Sequence, residues 1–289
     1  MTGTRRPKIS AVFNTFNEER RLPYSLASVR PWVDDIVVVD MDSDDRTAEI
    51  AREAEARVFR HDRLGYADPA RAYAIEQAEG DWILVLDSDE LVPARLARRL
   101  VGIARADEID VVRIPMVNHL FGASLRGTGW GPSQDSHLRF FRRGSVESTG
   151  EIHNYLHVVD GARVLTLEPA DGLCLVHYNY LDVQHFVEKL NRYTDIEAGE
   201  LVARGKRFTS VGAMRRSARE FLRRYLRQRG YRDGWRGFYL AWLMAGYRLI
   251  TAAKVEQIRR VGERAQIEEE YARDADRLLA EYKDYRADG

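Results

Sequence analysis

The sequence predicts an α/β fold, a mostly parallel sheet flanked by helices, followed by a helical C-terminal region. Three observations carry that prediction. Apolar, β-branched runs alternate with helix-forming stretches through the first half. Those runs are continuously apolar, as strands covered on both faces are. From Asp182 onward strand signals stop, and Val183, Phe186, Val187, Leu190, Tyr193 and Ile196 recur at helical spacing. The expected division is therefore 1–181 and 182–289.

Taken in order, KISAVF (Lys8 to Phe13) is the first strand, followed by a polar loop, Asn14 to Arg21, and a helix near Leu22 to Val29. DIVVVD (Asp35 to Asp40) is the second strand, and Thr47 to Ala56 is rich in strong helix formers. Arg57 to Arg60 is a brief third strand, Pro69 to Ala78 a helix, and Trp82 to Leu86 a fourth strand. Pro93 to Ala106 is helical, with proline suited to the first turn, and Val111 to Met116 is strand-like. Ser210 to Arg229 and Asp233 to Arg260 are further helices, and Gln266 to Tyr285 is a solvated one.

In such sheets ligands bind beyond the carboxyl ends of the strands. The polar residues that follow the strands, Asn14 to Asn17, Asp40 to Asp45 and Asp87 to Glu90, all gather at that edge. Asp87 and Asp89 flank Ser88, and carboxylates this close resist joint ionisation unless something neutralises them. Oxygen ligands favour Mg²⁺ or Mn²⁺; the plainer alternative is a solvated acidic turn before the helix at Pro93. In Asp40 to Thr47, Asp45 or Ser43 is a helix cap, whereas Asp40 ends a valine strand where it could accept from a base or a ribose hydroxyl. Phe16 could stack on that base. Gly122 to Pro132 is glycine-rich, and a loop that orders over a ligand is expected there.

Composition limits the alternatives. With 289 residues, 45% hydrophobic and 31% charged, the chain is an ordinary globular protein. Its one cysteine, Cys174, allows no internal disulfide and reads as a buried apolar residue. No signal-peptide core follows the basic N-terminus, and no apolar run approaches the roughly 18 residues of a membrane span, so a cytoplasmic protein is expected. The net charge of zero conceals 16 Lys/Arg against 3 Asp/Glu from Arg204 to Arg260, a local +13.

ISAVFNTFNEERRLPYSLASV, DDIVVVDMDSDDRTAEIA and GDWILVLDSDELV together resemble the family-two inverting glycosyltransferases of the GT-A (Rossmann-like) fold. Asn17 and Glu18, Asp40, Ser43, Asp45 and Thr47, and Asp87 and Asp89 occupy the family's motif positions. The resemblance implies a nucleoside diphosphate sugar donor and a divalent metal, Mn²⁺ or Mg²⁺. Phe16, Asp40 and Asp42 would surround the nucleotide, with Asn14, Glu18 and Ser88 also lining the donor. Asp89 would ligate the metal, Asp87 would reach the ribose or the metal, and His177, late in the strand LCLVHYNY, would be a further ligand. Arg71 would be the cation near the diphosphate, although Ala72 stands where the family has asparagine. QDSHLRFFRRG and TGEIHNYLHV resemble the lipopolysaccharide and lipooligosaccharide core subgroup, except that Asn154 follows His153 where glutamate is expected. An inverting transferase needs a carboxylate base, and Asp135 and Glu151 share that expectation equally.

The expected activity is therefore sugar transfer to a hydroxyl of a saccharide or lipid-linked glycan. A peptide acceptor and a non-catalytic sugar-nucleotide-binding module stand as alternatives. A nucleotidyltransferase would need a glycine-rich basic loop after the first strand, and NTFNEERR is not one. The +13 segment favours contact with anionic lipid at the inner face of the plasma membrane, and the apolar stretch Gly237 to Tyr247 is either a buried helix or an interfacial one. No nucleic-acid partner is expected, as no recognised binding module accompanies the charge.

Overall fold

The computed structural model describes residues 6–63, 68–148, 156–170 and 172–284. The chain forms two compact units, Met1–Asp182 and Val183–Gly289. The first has the GT-A-like architecture, a mixed sheet flanked by helices. It opens with β1 (Ile9–Thr15), α1 (Leu22–Val29), β2 (Asp35–Asp40), α2 (Thr47–Glu53), β3 (Arg57–Arg60), α3 (Asp68–Gln77) and β4 (Trp82–Asp87). It continues through β5 (Glu90–Leu91), α4 (Ala94–Ala106), β6 (Val111–Leu120), β7 (Ala123–Ser124) and β8 (Ser136–Arg142). A small pair, β9 (Val146–Ser148) with β10 (Leu156–Val158), precedes β11 (Val164–Thr166) and β12 (Leu175–Tyr180).

The strand order is β3-β2-β1-β4-β8-β6-β12-β5. β1 runs parallel to both its neighbours, with Thr15 level with Asp40 and Asn14 level with Asp87. This register sets the carboxyl ends of three strands side by side. The valine and leucine runs are continuous because alternate residues enter two different cores. Phe13, Val38 and Leu84 face one, while Val12, Val37 and Ile83 face the other.

Two features depart from the linear reading. β8 is antiparallel and lies between β4 and β6. Its placement stacks Phe140 on Trp82, both fully buried, with ring centroids 4.6 Å apart. β6 runs on past Met116 to Leu120, although Asn118 and His119 break its apolar pattern, because β12 and β7 pair with that extension. His177 consequently lies within β12, level with Asn118, just before a register shift.

The second unit comprises α5 (Val183–Ala203), α6 (Ser210–Leu222), a π-helical turn (Arg223–Arg227), a short 3-10 turn (Gly230–Asp233), α7 (Gly234–Arg260) and α8 (Arg264–Ala280). The expected helix over Ser210 to Arg229 passes into the π-helical turn at Arg223 and ends where Arg229 adopts a left-handed φ of 56°. α6 starts where Thr209 caps it, accepting from Gly212 N at 3.1 Å. α7 buries a stripe that includes Gly237, Ala241, Ala245 and Ala252, and Ser217 Oγ donates to Ala245 O at 2.8 Å. Among the described residues no helix is long and apolar enough to cross a membrane.

Asp110 ties three strand ends of the first unit together. It accepts from Arg163 Nε at 2.8 Å and from Arg163 N at 2.9 Å, and from Arg142 Nε at 3.2 Å. The Arg163 hydrogen bond, working against burial and aided by the backbone amide and the guanidinium charge, lowers its pKa to about 2. Because the folded value lies below the unfolded one of about 3.9, the stabilisation is complete above the unfolded value. It is lost as pH falls through the folded one. Asp110→Asn should therefore lower the urea midpoint at neutral pH and flatten its decline between about pH 4 and about pH 2. Equal slopes for the two proteins over that interval would show that this pairing adds nothing to folding.

Candidate active site

The site forms where β1, β2 and β4 end. The loops after β1 and β2 are stitched to one another. Asn17 N donates to Ser43 Oγ at 2.9 Å, Asp44 N to Asn17 Oδ1 at 2.8 Å and Glu18 N to Thr47 Oγ1 at 2.7 Å. Ser43 Oγ in turn donates to Asp40 Oδ1 at 2.5 Å, which orients that buried carboxylate. Ser43 is therefore a support for Asp40, and neither it nor Asp45 is the cap of α2. That position is Arg46, which makes no side-chain cap bond, while Asp45 Oδ1 accepts from Thr47 N at 2.9 Å from one residue further out. Asp42, in the left-handed region, is exposed and paired with Arg60. Phe16 lies under Arg63, 4.1 Å from the ring centroid.

The acidic turn after β4 is neutralised largely by arginine. Asp87 Oδ1 accepts from Arg71 and Oδ2 from Arg139 at 2.9 Å. Arg71 also donates to Asn14 Oδ1 at 3.1 Å. Only 16% of its side chain is exposed, so it is not the solvated helix arginine it could have been. Arg139, from β8, reaches Glu90 as well, at 2.5 Å. Burial opposes the charge on Asp87, but the two guanidiniums outweigh it and hold the carboxyl well below the usual range. Burial pushes Glu90 above its usual range; Arg139 pulls it down, and the charge on Asp87 pushes it up again. Ser25 of α1, fully buried, lies 2.8 Å from Ser88 O and 2.6 Å from Glu90 O, and its single hydroxyl proton ties the turn to that helix.

Asp89 faces another way. Its Oδ1 lies 3.5 Å from His177 Nε2 and its Oδ2 lies 3.6 Å from Arg21 Nη1. Arg21 itself makes a paired contact with Glu18, at 2.7 and 2.6 Å. His177 is positioned by Asn118, which is fully buried. Asn118 Nδ2 donates to Asp135 Oδ2 at 2.7 Å and to Trp130 O at 3.1 Å. Both are pure acceptors, so the amide orientation is chemically forced. Asn118 Oδ1 then accepts from His177 Nδ1 at 2.9 Å, which places the proton on Nδ1 and turns Nε2 toward Asp89. Burial disfavours the charged imidazole, but Asp89, then Glu90 and Asp87, outweigh it and raise its pKa.

Asp135 completes the chain, with His137 Nε2 2.8 Å from its Oδ1. Burial would raise the Asp135 pKa, but His137 and Asn118 more than offset that and lower it. Glu151, the other candidate base, and His153 lie outside the described residues. The glycine-rich segment is tied by turn hydrogen bonds, Trp130 N and Gly131 N each donating to Gly127 O at 3.0 Å. A Cβ on Gly131 would sit 2.3 Å from Arg126 O. Arg21 and Asn118 are the residues that linear reasoning left out of the site, and Arg139, which with Asp135 matched the subgroup's motif, was given no role in it. The signal for Arg139 was present in the RFFRR run, whereas nothing in the sequence singled out Asn118.

The model for glycosyl transferase family 2 matches residues 10–154, half of the chain. A protein of Rickettsia typhi named as an uncharacterized glycosyltransferase is 25% identical over 258 residues, covering 87% of each chain. The lipopolysaccharide core biosynthesis glycosyltransferase LpsC of Rhizobium meliloti is 28% identical over 257 residues, covering 86% of this chain and 92% of its own. Among solved structures, glucosyl-3-phosphoglycerate synthase of Mycobacterium tuberculosis overlaps 39% of this chain and 44% of its own, at 27% identity and a TM-score of 0.33.

Replacing Asn118 with leucine would leave His177 Nδ1, Asp135 Oδ2 and Trp130 O without their buried partner. A loss of roughly 1–3 kcal/mol in stability follows. In addition, long-range ¹H–¹⁵N spectra recorded at alkaline pH should show the His177 imidazole change from one tautomer to a mixture. An unaltered His177 signature in that variant would mean that Asn118 does not set the tautomer.

Proposed function

The chain belongs to glycosyl transferase family 2, and from that membership we propose that it moves a sugar, with inversion, from a nucleoside diphosphate sugar to a glycan hydroxyl. The observation that carries the reading is the facing pair Asp89 and His177, 3.5 Å apart at the ligand edge of the sheet. Asn118 joins that pair to Asp135.

These residues fit a divalent cation held partly by substrate. Among the described residues no three carboxylate, imidazole or thiol groups converge as a ready-made cage. One carboxylate oxygen and one imidazole nitrogen would therefore share the ion with diphosphate oxygens and water, the usual arrangement for Mg²⁺ and an acceptable one for Mn²⁺. Asp87 would have to release a guanidinium to join them. A bound ion supplies Lewis-acid neutralisation of the departing diphosphate.

The remaining work falls to side chains. Arg71, braced by Asn14 and Asp87, presents positive charge at the strand ends where the diphosphate would lie. Asp40 accepts from the base or the ribose, and Glu18 and Ser88 shape the donor pocket from the adjoining loops. A base stacking on Phe16 would displace Arg63 or use the opposite ring face. Asp135, ionised at neutral pH, takes the acceptor's proton as the hydroxyl oxygen bonds to the anomeric carbon. The bond from that carbon to the diphosphate breaks, and the electron pair leaves with the diphosphate. The Rhizobium relative's role in lipopolysaccharide core synthesis supports a saccharide or lipid-linked acceptor.

Two substitutions test this. Asp89→Asn should remove the extra stabilisation that a sugar nucleotide with Mn²⁺ adds to the variant's own thermal midpoint, an effect that acts by mass action. Undiminished Mn²⁺-dependent stabilisation would exclude Asp89 as a ligand. Asp135→Asn should retain donor binding and lower turnover by about 10²- to 10⁴-fold. If turnover instead survives in Asp135→Asn and falls in Glu151→Gln, the base is Glu151.

A further inference from the structure

The second unit carries a surface to which the sugar-transfer reading assigns no part. The rings of Phe221 and Trp242 lie 4.4 Å apart, and Phe221 also meets Tyr225 at 5.5 Å and Phe238 at 6.0 Å. Tyr225 extends the cluster to Tyr231, and Phe238 extends it through Tyr239 to Trp235. This is one continuous aromatic patch spanning α6, the π-helical turn, the 3-10 turn and the start of α7. It is also largely uncovered. Trp242 is 51% exposed, Tyr231 and Trp235 52%, and Tyr239 56%, and Leu222 (51%) and Leu226 (56%) adjoin it in sequence. Soluble surfaces leave single apolar residues exposed, but contiguous clusters of large rings mark binding faces.

The patch is built rather than incidental. α7 has a separate packing face in the small-residue stripe, and although Phe238 and Trp242 meet Phe221 of α6, about half of Trp235, Tyr239 and Trp242 stays uncovered. A Cβ on Gly237 would lie 1.8 Å from Gly230 O, so only glycine lets the 3-10 turn pass this close to α7. That close approach holds Tyr231 near the start of α7, where Trp235 begins the exposed face.

The charge around it is predominantly positive. Phe221 to Val255 contains eight Lys/Arg and a single acid, Asp233. Glu220, just before it, is taken up by Arg223 and Arg224, which are therefore not the open cations their sequence suggested. Arg227, Arg229 and Arg232 are exposed, and Arg236 lies over Trp235 at 4.6 Å. A second copy docked face to face would press these arginines against their equivalents. An anionic bilayer satisfies both components, since Trp and Tyr favour the headgroup boundary and clustered arginines are drawn to anionic headgroups.

We propose that this aromatic–arginine face docks on a bilayer rich in anionic lipid, with Trp235, Tyr239 and Trp242 entering the headgroup boundary. The assignment stands apart from the sugar-transfer reading, because it is measured with neither donor nor acceptor present. The full chain should co-sediment with phosphatidylcholine vesicles containing phosphatidylglycerol and not with phosphatidylcholine alone, and brominated lipid should quench its tryptophan emission. Trp235→Ser with Trp242→Ser should abolish the quenching and weaken sedimentation at low salt. Arg227→Gln with Arg232→Gln should weaken it roughly tenfold or more and make it yield to salt sooner. Unchanged circular dichroism and thermal midpoints would confirm that these exposed substitutions leave the fold intact. The proposal is overturned by failure to sediment with anionic vesicles at low salt, or by sedimentation indifferent to loss of both tryptophans. It is equally overturned if the tryptophan pair is needed instead for a concentration-dependent dimer, or for binding a single-stranded oligonucleotide in preference to vesicles.

Discussion

The first unit is organised around the problem of keeping three carboxylates charged, or nearly so, at the end of a buried strand. Asp87, Asp89 and Glu90 lie within four residues, and the side chain of Glu90 is fully enclosed. Unpaired, such a group would cost several kcal/mol. The protein meets this with fixed cations from different elements, Arg71 from α3, Arg139 from β8 and Arg21 from the loop after β1. The position of β8 between β4 and β6 follows the same requirement, because an antiparallel strand there brings Arg139 beneath the acidic turn. The Trp82–Phe140 stack secures that strand from the core side.

A second constraint runs through β6. Its extension past Met116 places Asn118 level with His177 on β12. One buried amide then satisfies the Asp135 carboxylate, the glycine-rich segment and the imidazole together. A polar network of this kind is stabilising only when every member is satisfied. The donor and acceptor halves of the proposed reaction are therefore not independent of one another. A change in the orientation of His177 is transmitted to Asp135 through two hydrogen bonds.

The second unit separates packing from surface chemistry along a single helix. The small residues of α7 permit close approach of its neighbours, and its large aromatic residues remain on other faces, bordered by arginine. Averaged around the helix the two tendencies cancel, which is why the segment Gly237 to Tyr247 reads equally well as a core helix or an interfacial one. It has features of both, on different sides.

The alternation of strands and helices to Ala106, the acidic ends of three strands and the helical character beyond Asp182 can all be read along the chain. Each of these is a local property, set by period, propensity and turn chemistry over a dozen residues or fewer. The family resemblance was legible for the same reason, since its motifs lie in strand-end loops whose spacing is fixed along the chain. Folding in three dimensions settles which cation answers which carboxylate, that β8 runs antiparallel through the sheet, and that Asn118 orients His177. Arg139 and Asp87 stand 52 residues apart and Asn118 and His177 stand 59 apart, and no local pattern records a contact made by folding. Arg224 combines the two, since its pairing with Glu220 four residues earlier is local to the helix whereas its burial is set by packing.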